Sequence, residues 1–149
     1  MRTLAPVGTQ VELQDYGLDK YGRTLGRIFQ KEQDINLAMV ESGWAIPYII
    51  CEGDSCTANF FTAQPVAQYL KSCKEAREKG LGVFNPKDPL KEMPFEFRLR
   101  MQHRKPDKFV GNFETKELYP PDQYRQVDVC QRIFFMKQSE AERVGYRIK

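Results

Sequence analysis

The sequence predicts an α+β fold, and three observations predict it. Two early segments alternate apolar and polar residues as strands do, two later segments repeat their apolar residues at helical spacing, and a proline-bearing stretch is followed by further short strand-like runs. At 149 residues with 41% hydrophobic content, the chain can bury one ordinary core, or one incomplete domain with a small appendage. Ten Phe and seven Tyr argue against general disorder, while nine Pro and a charged fraction of 29% predict a loop-rich surface.

The elements follow in order. Residues 9–15 read as a strand in which Val11 and Leu13 point to one buried face, between Gln10, Glu12 and Gln14. Residues 16–22 form the hairpin connection, and residues 23–30 return as a second strand carrying Leu25, Ile28 and Phe29. Asp34 is placed to cap a short helix with Ile35, Ala38 and Met39 one turn apart, ended by Gly43. Pro65 suits the first turn of a second helix that runs to Gly80, with Val66, Tyr69, Leu70, Cys73 and Ala76 in one stripe. Residues 85–94 carry three prolines and read as a linker between a domain at 1–84 and an extension at 95–149. In the extension, residues 95–101, 108–113 and 132–136 read as strands, and residues 139–144 as a helix capped by Ser139 and closed by Gly145.

The net charge of +3 is unevenly spread: residues 1–84 hold 9 Lys and Arg against 10 Asp and Glu, and residues 85–149 hold 14 against 10. Such a balance permits phosphate contacts without demanding them. The densest basic cluster is Arg98, Arg100, His103, Arg104, Lys105 and Lys108. On a strand, Arg98 and Arg100 share a face that could follow a phosphate backbone; the plainer reading is a solvated face. His103 has no Ser or Cys partner in a recognisable arrangement and receives no catalytic role.

The four cysteines, at 51, 56, 73 and 130, contain no CxxC pair, and with one His this makes a zinc site an unsuitable reading. Cys51 and Cys56 could close a small disulfide loop or stand as two free thiols, and no compartment follows. The chain as given shows no signal peptide and no apolar run long enough to span a membrane, so a soluble protein without a membrane partner is expected.

The segment Asp19-Lys20-Tyr21-Gly22-Arg23-Thr24-Leu25-Gly26-Arg27-Ile28-Phe29 resembles the D-K-Y-G-R-x-L-G-x-I-F turn and strand of the staphylococcal nuclease (thermonuclease) family. The resemblance continues through Asn36, Val40-Glu41-Ser42-Gly43-Trp44-Ala45 and Tyr48, and ends at Leu81-Gly82-Val83-Phe84, so that it covers residues 4–84. It implies a partial OB-fold barrel with two helices, joined to the small α+β extension. The extension itself, at Gly111-Asn112, Thr115-Lys116, Phe134-Phe135, Glu140-Ala141 and Gly145-Tyr146-Arg147, faintly resembles Ada-like metal-binding modules, without their cysteine ligands.

The family's chemistry, phosphodiester hydrolysis with calcium, implies roles for four residues. Arg23 matches a catalytic arginine that binds charge developing on the phosphate, Lys20 and Tyr21 match contacts to a nucleotide phosphate, and Tyr48 matches a tyrosine that stacks on a base. Each also has a plainer reading, as a solvated strand residue, a turn or a rim aromatic. With only 18 residues before Asp19, the family's metal-binding carboxylates, general base and first arginine have no counterpart. The resemblance therefore implies a chain that is inactive alone and needs no cofactor by itself, with calcium entering only if the missing part is supplied. The alternative is a non-enzymatic remnant that binds nucleic acid, DNA or RNA, or protein. Three sources could complete the barrel: the extension's own strands, a second copy by swapping to a homodimer, or a separate N-terminal fragment.

Overall fold

The computed structural model describes residues 4–18, 21–63 and 65–149. Strands β1 (Glu12–Leu18), β2 (Thr24–Gln30) and β3 (Gln33–Asp34) form one antiparallel sheet in that order. The hairpin pairs Glu12 with Phe29 and Leu18 with Thr24, with an irregularity between Asp15 and Leu18. The strand is thus set three residues later than its alternation suggested, and the expected buried face is open: Val11, Leu13 and Leu25 are 43%, 52% and 49% exposed. The reason is topological, since β1 pairs with β2 alone among the described residues.

Five α-helices are present among the described residues, α1 (Ile35–Glu41), α2 (Phe60–Ala63), α3 (Val66–Glu78), α4 (Pro94–Met101) and α5 (Gln138–Arg143). A second sheet holds β4 (Ile49–Cys51), β5 (Phe109–Asn112), β6 (Glu117–Tyr119), β7 (Arg132–Phe135) and β8 (Arg147–Ile148), in the order β4-β7-β5-β6-β8. The architecture is α+β. β4 runs parallel to β7, with Ile49 opposite Ile133, so a strand from before residue 85 joins the sheet built by residues after 94. This overturns the idea that the extension completes the first sheet: its strands pair with β4 and with one another, and leave β1 as an edge. No helix among the described residues is long and apolar enough to cross a membrane.

The pleat of β7 sorts the core. Ile133 and Phe135 pack with Cys51, Leu70, Leu118 and Tyr146 on one face of the sheet, and Phe134 packs with Phe95, Val110, Tyr119, Tyr124 and Val127 on the other. Of the stripe read on the second helix, Val66, Leu70, Cys73 and Ala76 are all at or below 3% exposure, while Tyr69 is half-buried. Both cysteine pairs are disulfides, Cys51–Cys56 and Cys73–Cys130. The second ties α3 to the turn that leads into β7 and closes a loop of sequence separation 57, for which loop-closure entropy gives about 4 kcal/mol. Arg77 and Asp128 form an ion pair beside it.

Residues 95–101, read as a strand, are helix α4. The alternation Phe-Glu-Phe-Arg-Leu-Arg-Met fits either period, and the start of the segment decides between them. Pro94 occupies the first turn, where its missing N–H costs nothing, and the Glu96 carboxylate accepts the Met93 backbone N–H at 3.2 Å. Phe95 and Leu99, one turn apart, then face the sheet while Phe97 and Met101 are exposed. The last helix starts one residue earlier than read, and its N-cap is Lys137 rather than Ser139, with Glu140 in the first turn bonding back to it. The Glu140 carboxylate accepts the Lys137 N–H at 2.9 Å and, from its other oxygen, the Gly53 N–H at 2.8 Å. One buried side chain thereby caps the start of the helix and holds the Cys51–Cys56 loop.

Asp34 joins the hairpin to the helices. Its Oδ1 accepts the Leu37 N–H at 3.1 Å, capping α1 as the sequence predicted. Its Oδ2 accepts the Arg27 Nη2 at 2.6 Å from β2 and the Tyr69 hydroxyl at 3.0 Å from α3. Burial by itself would raise the carboxyl's pKa, but the donors from Arg27, Leu37 and Tyr69 more than offset it and hold it below the usual carboxylate range. The Tyr69 hydroxyl is pushed up to about 12, first by burial and then by its bond to Asp34. Gly43 fixes the other end of α1. Its φ of +73° is in the left-handed region, and a Cβ there would meet the Leu81 carbonyl oxygen at 2.3 Å. The Val83 N–H donates to the Gly43 carbonyl at 3.0 Å, so the end of α1 and the turn after α3 touch backbone to backbone.

Two outcomes follow from these joints. Gly43→Ala loses about 2–4 kcal/mol in urea unfolding, whereas Gly53→Ala, at φ +61° but with nothing within 4 Å, loses about 1 kcal/mol. Asp34→Asn loses about 2 kcal/mol at neutral pH. Because the folded carboxyl titrates below its unfolded value of about 4, its stabilisation is present above that value and disappears as pH falls through the lower folded one. The stability gap between the wild type and Asp34→Asn therefore narrows below about pH 4, and a gap independent of pH assigns the loss to shape rather than charge.

Candidate functional site

The hairpin tip carries Tyr21 and Arg23, both exposed, on either side of Gly22 at φ +74°. The Arg23 guanidinium carbon lies 5.3 Å from the Tyr21 ring centroid, a stacking contact that narrows the directions its fork can take. Lys20, read as a phosphate contact, and Asp19 lie outside the described residues. Asp15 serves the turn, its Oδ1 accepting the Gly17 N–H at 2.7 Å. Among the described residues no three His, Cys, Asp or Glu side chains gather as a metal would require.

Between the hairpin and the helices runs a groove of about 620 Å³. Leu25 and Ile28 from β2, Met39 from α1, Tyr69 from α3, Ile46 from the connection after α1 and Ile50 from β4 line it, so its walls are mostly apolar. Tyr48 stands at the far side of this groove and also lines a second cavity of about 260 Å³. Its ring is 4.7 Å from the Phe134 centroid and 5.8 Å from the Phe95 centroid, with the Arg98 guanidinium 4.7 Å over it. Arg23 and Tyr21 are thus at the tip, while Tyr48 is set in the second sheet's core with an arginine on its ring.

The basic cluster does not form one phosphate-tracking face. On α4, residues two apart point about 200° away from each other. Arg98 covers Tyr48, whereas Arg100 pairs with Glu92 at 2.9 Å; Arg104 and Lys108 both pair with Asp107.

Arg132 is a residue the sequence reading passed over. It heads the apolar run Arg132-Ile133-Phe134-Phe135 and is 8% exposed. Its Nε donates to the Val127 carbonyl at 2.9 Å, and its guanidinium lies 5.2 Å from the Tyr124 centroid. Burial, working against the charge, pushes its pKa below the usual arginine range. Nearby, Glu96 accepts the Tyr124 hydroxyl at 2.7 Å and the Arg125 Nε at 3.0 Å. Burial would raise Glu96, but these donors and the Met93 N–H hold it below the usual carboxylate range. An arginine opening an otherwise apolar strand was the signal available for this site, since such a residue is seldom buried without a polar purpose.

Comparisons with known proteins agree with the hairpin. The chain is 35% identical over 130 residues to Endonuclease YhcR of Bacillus subtilis, a match that covers 87% of this chain and 10% of that protein. It is 31% identical over 80 residues to a Haemophilus influenzae protein named Uncharacterized endonuclease, covering 54% of this chain and 38% of that one. The chain therefore spans less than half the length of either relative. A family model described as staphylococcal nuclease homologue matches residues 4–85. With that match over more than half its length, the chain belongs to the staphylococcal nuclease homologue family.

Proposed function

We propose that this chain is the phosphate-binding part of a nucleic-acid phosphodiester hydrolase, inactive by itself and completed by strands from outside it. The observation that carries this reading is the apolar groove of about 620 Å³ beside an uncovered hairpin whose tip bears Arg23. An exposed strand edge with Val11, Leu13 and Leu25 open beside it invites pairing with another strand. In this reading the first sheet is one part of an OB-type barrel, and a separate N-terminal segment fills the groove. The relatives' names, both endonucleases, support the reaction class.

Arg23 binds two oxygens of the scissile phosphate through its fork and gains most as negative charge builds there. Tyr21, beside it, orients the guanidinium, and Lys20 adds a point charge. Calcium, which the family resemblance implies, does not fit the described residues: Asp15 is bonded into its turn, Asp34 is paired with Arg27, and no three acidic side chains gather there. The carboxylates that would hold the ion and activate water belong to the completing segment.

The expected outcome is that this chain alone, with calcium, leaves single-stranded DNA and RNA intact. Adding the segment that fills the groove restores cleavage, and Arg23→Ala then lowers kcat about 100-fold or more. Light scattering reads the assembly as one chain with one segment; a dimer would instead assign the groove to a second copy. Cleavage by this chain alone, abolished by Arg23→Ala, would overturn the proposal.

A further inference from the structure

The cavity of about 260 Å³ between residues 46–48, α4 and β7 lies apart from the hairpin tip. We propose that it binds one nucleotide of a single-stranded nucleic acid, with the phosphate on Arg98 and Arg132 and the base against the half-buried apolar wall of Ile46, Pro47 and Met93. The choice of nucleic acid as the ligand rests on the reading of the chain as part of a nuclease.

Charge is the first argument. Arg77, Arg100, Arg104 and Arg125 each pair with a carboxylate. Arg98 and Arg132, the two arginines lining this cavity, have no carboxylate partner among the described residues. Glu96, whose field reaches Arg132, already accepts bonds from Tyr124, Arg125 and the Met93 amide.

Burial is the second. Arg132 is 8% exposed, and its Nε is used by the Val127 carbonyl. Its two terminal nitrogens have no hydrogen-bond partner among the described residues. Those nitrogens are not buried, since among the described residues only Gln131 Oε1 is a buried side-chain polar atom without a partner; the fork therefore opens onto the cavity, where an anion can take the place of water on both terminal N–H groups. Arg98, stacked on Tyr48, brings a second fork to the same cavity.

Shape is the third. Besides the arginines, the lining is apolar, with Ile46, Pro47, Met93, Phe95, Val129 and Phe134. Such walls suit a planar, weakly polar ring rather than a second charge, and the volume is that of a single nucleotide. The ligand class is therefore a phosphate joined to an aromatic base.

The test measures fluorescence anisotropy of a labelled single-stranded oligothymidylate with the whole chain and no added divalent ion, so that cleavage does not intervene. Free thymidine monophosphate serves as competitor. Arg98→Gln and Arg132→Lys are each expected to weaken oligonucleotide binding about tenfold or more, with Arg100→Gln unchanged within about twofold. Should Arg132→Lys fail to fold, Arg98→Gln and Arg98→Glu decide the matter, since Arg98 is exposed and its loss leaves the core intact. Binding unchanged in the Arg98 variants overturns the proposal, and so does binding of the free nucleotide with none of the oligonucleotide. Loss of binding in Arg98→Gln by a chain that never cleaves in any assembly keeps this pocket and removes the nuclease reading. Cleavage by the completed assembly that Arg98→Gln and Arg132→Lys leave untouched, with binding also untouched, does the reverse.

Discussion

One carboxylate holds the first half of this protein together. Asp34 accepts hydrogen bonds from β2, from the first turn of α1 and from α3, and so ties three elements to one side chain, beside the Ile28 N–H that donates to Asn36 Oδ1 between β2 and α1. Short helices gain little from propensity, so α1, seven residues long, depends on its cap and on its packing against α3. The hairpin depends on the same group in a different way. Its strands are mostly exposed, and the Arg27 to Asp34 pair is the charged link that orients β2 against the helices.

The second half is organised by a sheet that draws on both halves. β4 and β7 run side by side, and the Cys73–Cys130 disulfide adds a covalent tie between α3 and the turn before β7. This is what makes the arginine-lined cavity. Tyr48 enters from the connection before β4, Phe95 and Arg98 from α4, and Arg132 and Phe134 from β7. None of these segments is near another in sequence, so the cavity exists only because the sheet is assembled across residues 85–94.

An OB-type nuclease unit and the groove seen here are connected by the same physical need. A hairpin edge and an apolar wall left open to water are unfavourable unless something covers them. The proposed completion by a further segment satisfies the edge and brings carboxylates toward Arg23 in one step, which would make assembly the condition for activity.

The sequence by itself determined the local structure. The Asp34 cap, the Gly43 stop and the Val66 to Ala76 stripe are written in neighbouring residues, because caps and amphipathic faces are short-range effects. The family likeness at residues 4–84, close to the matched 4–85, rests on the same contiguous run. Only the tertiary structure decided the rest. Period-two alternation in residues 95–101 could not tell a strand from a helix until the cap and the sheet beneath were known. The same ambiguity hid the parting of Arg98 from Arg100. The pairing of Cys73 with Cys130, the burial of most of Arg132 and the convergence of Tyr48, Arg98 and Arg132 on one cavity depend on contacts between distant segments, and no local pattern records which distant segments will touch.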